Sequence, residues 1–192
     1  MRIRSIVFAA ILSLVAAVAA SGQALPSASL GGGDVALTYH YVRTNTLGQC
    51  GCFSLTGLGL SAAWYFRPPL AAVAEASVEH TAQGPSGGSL TLTSYLAGAR
   101  YLLRHSGETT GIQPFAEILA GMGHAGGGVA GPGDKSNSLV ARVGGGIDLP
   151  VSPRFAIRVI RFDYDLTTFN NGVNNHQNNL LIATGIIYKW GQ

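Results

Sequence analysis

The chain's most reactive side chains are two cysteines and a scatter of histidines. Cys50 and Cys52 flank a single glycine and are the only cysteines in the 192 residues. Thiols so placed suit three outcomes: a local disulfide if the chain meets an oxidising compartment, free or externally paired thiols, or metal ligation. Closing a ring across one residue strains a disulfide and leaves it more reducible than most. His40, His80, His124 and His176 offer imidazoles that, with the thiols, could complete tetrahedral zinc or copper ligation. No two of them are close in sequence, so the fold would have to gather them. Asp163 and Asp165 are a further pair with acid–base potential. The glycine clusters at 31–33, 126–128 and 144–146 precede no helical pattern and do not read as phosphate-cradling loops. These signals predict no catalytic set and no cofactor.

What positions these residues is set first by export. Arg2 and Arg4 precede a continuous apolar run from Ile6 to Ala20, followed by small residues through Ala24. A charged start, a short apolar core and an A-x-A-like exit make a secretory signal peptide over residues 1–24, cleaved near Ala20 or Ala24. The run is shorter than the ~20 residues a spanning helix needs. Residues 25–192 then form one domain in an oxidising setting, where a Cys50–Cys52 disulfide is the expected state. Setting aside Arg2 and Arg4 brings the 12 basic residues to within one of the 9 acidic ones. Such a balance lacks the basic face that a phosphate backbone requires, so nucleic acid is not an expected partner.

The composition conflicts with an ordinary soluble domain. Only 11% of residues are charged, against about 25% in typical globular domains. The mean hydropathy is positive, yet beyond the signal peptide there is no long apolar run. Alternation resolves that conflict. Segments of period two run over Asp34–Arg43, Ser54–Phe66, Leu70–His80, Ser89–Arg104, Ile112–Ala125, Ser138–Leu149, Phe155–Leu166 and Asn179–Trp190. In the third, Ala72, Ala74, Ala76 and Val78 oppose Glu75, Ser77 and Glu79; the others repeat the theme. The seventh breaks it, because Arg158 falls on the apolar side: either it snorkels to an interface or a bulge shifts the register.

Connections after odd segments are long, as in Thr44–Phe53 and Gly126–Asn137, and those after even segments are shorter, as in Arg67–Pro69. That asymmetry is characteristic of bacterial outer-membrane barrels. Hydrocarbon cannot satisfy the backbone of an open sheet edge, so the sheet must close. The reading is therefore all-β: an eight-stranded antiparallel up-and-down transmembrane β-barrel, too narrow for an open channel. Gly191 and Gln192 alone follow the last segment, so no periplasmic module is expected.

The face opposite the apolar row collects Glu75, Glu79, Arg100, Glu117, Arg142, Asp148, Arg161, Asp163, Asp165 and Lys189. Charges inside a narrow barrel are costly unless paired, so an inter-strand network is expected in the lumen, with Arg100 meeting Glu75 or Glu117. Asp163 and Asp165 then read as lumen-filling residues. Tyr39, Tyr41, Trp64, Phe66, Tyr101, Phe162, Tyr164, Tyr188 and Trp190 lie mainly near strand ends, where aromatic girdles mark membrane interfaces.

Three stretches carry a family resemblance: Ser94-Tyr-Leu-Ala-Gly-Ala-Arg-Tyr101, Gln113-Pro-Phe-Ala-Glu-Ile-Leu-Ala-Gly121, and the closing segment from Leu180 to Trp190. They resemble the fourth, fifth and last strands of the small outer-membrane barrels typified by the OmpA transmembrane domain and OmpX. The resemblance implies a structural or interaction protein without catalytic residues, located in the outer membrane. It also implies that the last strand, with Tyr188 and Trp190, is read as a signal by the barrel-assembly machinery; here Gly191 and Gln192 extend past the aromatic. The expected partners are outer-membrane lipid and lipopolysaccharide, with that machinery and periplasmic chaperones during biogenesis, around a monomer. The lipid A deacylase motif of some small barrels, His-x-Ser, does not occur. The alternatives are a narrow pore or transporter for small solutes, and a soluble periplasmic lipocalin-like binding barrel with the alternation inverted.

Overall fold

The computed structural model describes residues 32–45, 52–67, 69–84, 88–103, 111–127, 136–169 and 176–191. The signal-peptide segment and Cys50 lie outside them, so the expected disulfide does too; Cys52 is exposed at the edge of the first long connection. Eight strands follow in order: β1 Gly33–Asn45, β2 Ser54–Arg67, β3 Leu70–Thr81, β4 Leu90–Leu102, β5 Gln113–Gly127, β6 Ser136–Pro150, β7 Phe155–Thr167 and β8 Gln177–Trp190. Each pairs antiparallel with its neighbours, and β1 pairs with β8 from Gly33↔Trp190 to Asn45↔Asn178, closing the barrel. Closure satisfies both edges of a sheet whose outer face is greasy, which is the condition hydrocarbon imposes.

Side-chain alternation sorts the two faces. On β3, Ala71, Val73, Glu75, Ser77 and Glu79 are buried in the lumen, while Ala72, Ala74, Ala76 and Val78 are exposed on the wall. Around the outside stand Leu37, Leu60, Trp64, Tyr95, Ile118, Leu139 and Ile186 among other large apolar side chains. Tyr188 and Trp190 share that face, and Phe155 packs edge-on against Tyr188 with ring centroids 5.4 Å apart. At the end carrying the long connections, called here the outer end, Val42, Leu55, Leu92 and Leu181 form an apolar cluster inside the lumen with Phe53 and Phe169. A second cluster, including Tyr65, Ala71, Leu102 and Phe115, reaches the opposite, inner end.

The seventh strand resolves through a bulge. The β7–β8 register shifts between Arg158 and Arg161, and the β6–β7 register shifts between Ile147 and Asp148. One unpaired step lets Arg158 and Arg161 both turn inward although their parity differs. Arg158 is therefore fully buried in the lumen rather than lying along the wall. Most strands run one or two residues past the stretches of clean alternation, because polar residues at the rims continue the ladder after the apolar pattern ends.

Candidate functional site: the charged lumen

The lumen is where this chain concentrates its chemistry. Arg161 on β7 is the hub: Nη1 lies 2.5 Å from Glu75 on β3, Nη2 2.7 Å from Glu117 on β5, and Nε 2.6 Å from Asp163. Arg142 on β6 donates to Glu75 and, at 3.0 Å, to Asp165. Arg100 on β4 donates through Nε to Glu117 at 2.9 Å and meets Asp34 at 3.3 Å. Tyr65 donates its hydroxyl to the other oxygen of Asp34 at 3.0 Å. These contacts join seven strands, all through side chains shielded from solvent. A guanidinium suits such a hub because its five donors spread in a plane and can serve several carboxylates at once.

Toward the inner end, Arg158 grips Asp148 in a two-pronged pair, Nε to Oδ1 at 2.9 Å and Nη2 to Oδ2 at 3.0 Å. The guanidinium carbons of Arg100 and Arg158 lie 4.9 Å and 4.5 Å from the centroid of the Phe115 ring. An aromatic face attracts a cation electrostatically. Lys189 donates to Gln113 at 2.8 Å.

Space for these long side chains comes from missing ones. A Cβ on Gly144 would stand 2.1 Å from an Asp163 carboxylate oxygen, and one on Gly59 would stand 2.4 Å from the His40 ring. Glycine at these two positions lets charged or aromatic groups rest directly on the backbone.

All ten charged residues assigned to the lumen from sequence lie there, and Arg100 meets Glu117. Glu79 stands apart from the arginine network: it pairs with His40, whose Nδ1 is 2.8 Å from its Oε1, and whose Nε2 is 2.8 Å from the Thr38 hydroxyl. His40 is fully buried in the lumen because it shares the inward parity of Ala36 and Thr38. His80 and His124 lie instead on the outside of β3 and β5, bonded to Thr91 at 2.9 Å and Asn137 at 2.8 Å, and His176 is exposed before β8. The histidines thus face different solvents, and no metal-binding group of three His, Cys, Asp or Glu forms among the described residues. Asp163 and Asp165 are each held by an arginine rather than set as an acid–base pair.

Four further lumen participants stand outside the ten charges assigned from sequence: Asp34, His40, Tyr65 and Arg158. Asp34 and Tyr65 carry the inward parity of their strands, so alternation alone could have found them. Arg158 breaks the alternation, which left a snorkelling residue and a bulge both open, and the register takes the bulge.

With Glu75, Glu117 and Arg142 inside and the aliphatic row outside, the inverted, lipocalin-like arrangement is excluded. Comparison with known proteins agrees. Neisserial surface protein A is similar in structure with a TM-score of 0.65 at 16% sequence identity, over 83% of this chain and 99% of that one. Ail, the attachment invasion locus protein of Yersinia pestis, gives 0.59 at 15% identity, over 84% of this chain and all of that one. The outer membrane protein OprG from Pseudomonas aeruginosa gives 0.51 at 13%, over 88% and 100%. Likeness at such identities is a likeness of fold. No curated protein sequence matches. The sequence profile of the outer membrane protein β-barrel domain matches residues 9–183, nearly the whole chain. The chain belongs to the outer membrane β-barrel protein family, and the outer membrane is its location.

Proposed function

We propose that this barrel has a structural and surface-interaction role, with a lumen closed by its own side chains, outer loops as the contact surface and no enzymatic activity. One observation carries the reading: Arg161, fully buried, is held by carboxylates from β3, β5 and β7 at once. To open a path, that guanidinium would have to leave three partners in a poorly solvated interior, where breaking one buried pair already costs about 3–5 kcal/mol. The apolar cluster of Val42, Leu55, Leu92 and Leu181 adds a second obstruction nearer the outer end. Two of the similar barrels are named as a surface protein and an attachment invasion locus protein, which fits a role exercised outward.

Planar-bilayer recording tests closure. The folded protein is expected to leave the bilayer silent under conditions where an open porin gives steps. Clean, reproducible conductance steps from purified, heat-modifiable protein would replace this reading with that of a narrow pore.

A further inference from the structure

We propose that His40 and Glu79 form a proton-binding site inside the lumen, an imidazolium–carboxylate clasp that ties β1 to β3 and gives the lumen a sixth cation. The site goes beyond the structural reading of the barrel and stands whether or not the lumen conducts.

Glu79 differs from every other lumen acid in its partner. Seven carboxylates lie buried among the described residues, against four arginines and Lys189. Six of the seven meet an arginine. Glu79 meets His40 instead, Nδ1 to Oε1 at 2.8 Å, and its Oε2 is buried with no hydrogen-bond partner among the described residues. Beside a neutral ring that carboxylate would be a buried charge without compensation, which is a costly arrangement.

Counting hydrogens at the other ring nitrogen leads to the same place. His40 Nε2 lies 2.8 Å from the Thr38 hydroxyl, which donates to the Gly59 carbonyl oxygen at 3.2 Å. A hydroxyl has one hydrogen and a carbonyl only accepts. With that hydrogen given to Gly59, the hydroxyl accepts from the ring, so Nε2 carries an N–H. The bond between Nδ1 and Glu79 then needs a second proton. An imidazole holds it in preference to a carboxylate, being ordinarily the stronger base by about two pH units. Both ring nitrogens donate, and the ring is a cation.

The strand between makes room for the clasp. Gly57 on β2 is the register partner of both His40 and Glu79, so the ring crosses β2 where no side chain stands. No neighbouring charge competes for the site. On the flanking strands His40 pairs with Ala183 of β8 and Glu79 with Leu92 of β4, neither of which titrates. Glu75, two residues along the inward row of β3, is already held by Arg142 and Arg161. Because this cation is a proton, base can remove it. Histidines of the unfolded chain are neutral above about pH 6.5, while the folded clasp keeps its proton. Unfolding then releases one proton, and alkaline conditions favour it.

Nitrogen-15 NMR of histidine-labelled protein, folded in lipid nanodiscs at neutral pH, reads the proton directly. The His40 ring is expected to show two N–H signals, and to keep only one in Glu79→Gln. A single ring N–H in the unsubstituted protein overturns the site. Two N–H signals retained in Glu79→Gln overturn the part given to Glu79. Urea unfolding in vesicles reads the linkage: from about pH 7 to about pH 9 the midpoint should fall further for the unsubstituted protein than for Glu79→Gln. Equal falls overturn the proton's hold on the fold. Heat-modifiable mobility confirms that each protein has folded, and the spectrum of the unsubstituted protein decides the site by itself if Glu79→Gln fails to assemble.

Discussion

The lumen face and the lipid face of this barrel share every backbone hydrogen bond and differ in almost everything else. On β3 the inner face carries Glu75 and Glu79 beside Ser77, while the alternate residues on the outer face are Ala72, Ala74, Ala76 and Val78. A soluble barrel would reverse the assignment, charges out and aliphatics in. Here the solvent is the hydrocarbon, so the low-polarity surface faces it and the ions are gathered where they can reach one another. The difference teaches where each kind of substitution should hurt: inside, losing a charge; outside, gaining one.

The largest effect is expected from Arg161→Met, which preserves bulk and removes the hub. Glu75, Glu117 and Asp163 would each lose a partner while staying buried, a loss of about 3–5 kcal/mol. Urea unfolding in lipid vesicles, followed by tryptophan fluorescence, should show it as a lower midpoint. Arg161→Lys should recover only part, since an ammonium cannot reproduce the planar fork. An unchanged midpoint for Arg161→Met would break the contrast on its lumen side. The converse change comes next: Ala97→Arg, on the outer face midway along β4, should cost about 2–4 kcal/mol if the residue lies near the bilayer midplane. The same assay reads it, and a cost near zero would mean that the aliphatic row is not bathed in lipid.

These two faces were largely legible in the sequence, because period two assigns a side to every residue once a strand is recognised. Ten lumen charges were found that way. His40 shares Thr38's parity; what alternation did not show is that the Thr38 hydroxyl and Glu79 hold it. Asp34 was overlooked as a strand's first residue, yet first residues still point somewhere. Arg158 marks a true limit. Its break in the alternation left a snorkelling residue and a bulge both open, since Val159 and Ile160 are both apolar and could each occupy a wall position; the register shift then brings Arg158 to Asp148. The pairing partners were equally hidden, since which strands approach across a lumen depends on closure and tilt.

Two tyrosines sharpen the comparison at its smallest scale. Tyr65 points into the lumen and donates to Asp34 at 3.0 Å. Tyr41 points outward at the rim, its hydroxyl 2.9 Å from that of Ser54, which also accepts from Arg43 at 3.0 Å. Tyr→Phe removes one oxygen in either case. Inside, the change leaves a buried carboxylate oxygen without its donor, and Tyr65→Phe should lose about 1.5–3 kcal/mol, as bonds to charged groups do. At the rim, water and lipid headgroups can replace the lost hydroxyl, and Arg43 keeps its bond to Ser54. Tyr41→Phe should therefore cost less than about 0.5 kcal/mol, within the range of ordinary surface changes. Vesicle unfolding of the two variants side by side would check the ordering. If Tyr41→Phe proved the costlier, the rim and not the lumen would be the place where polar groups lack an alternative partner.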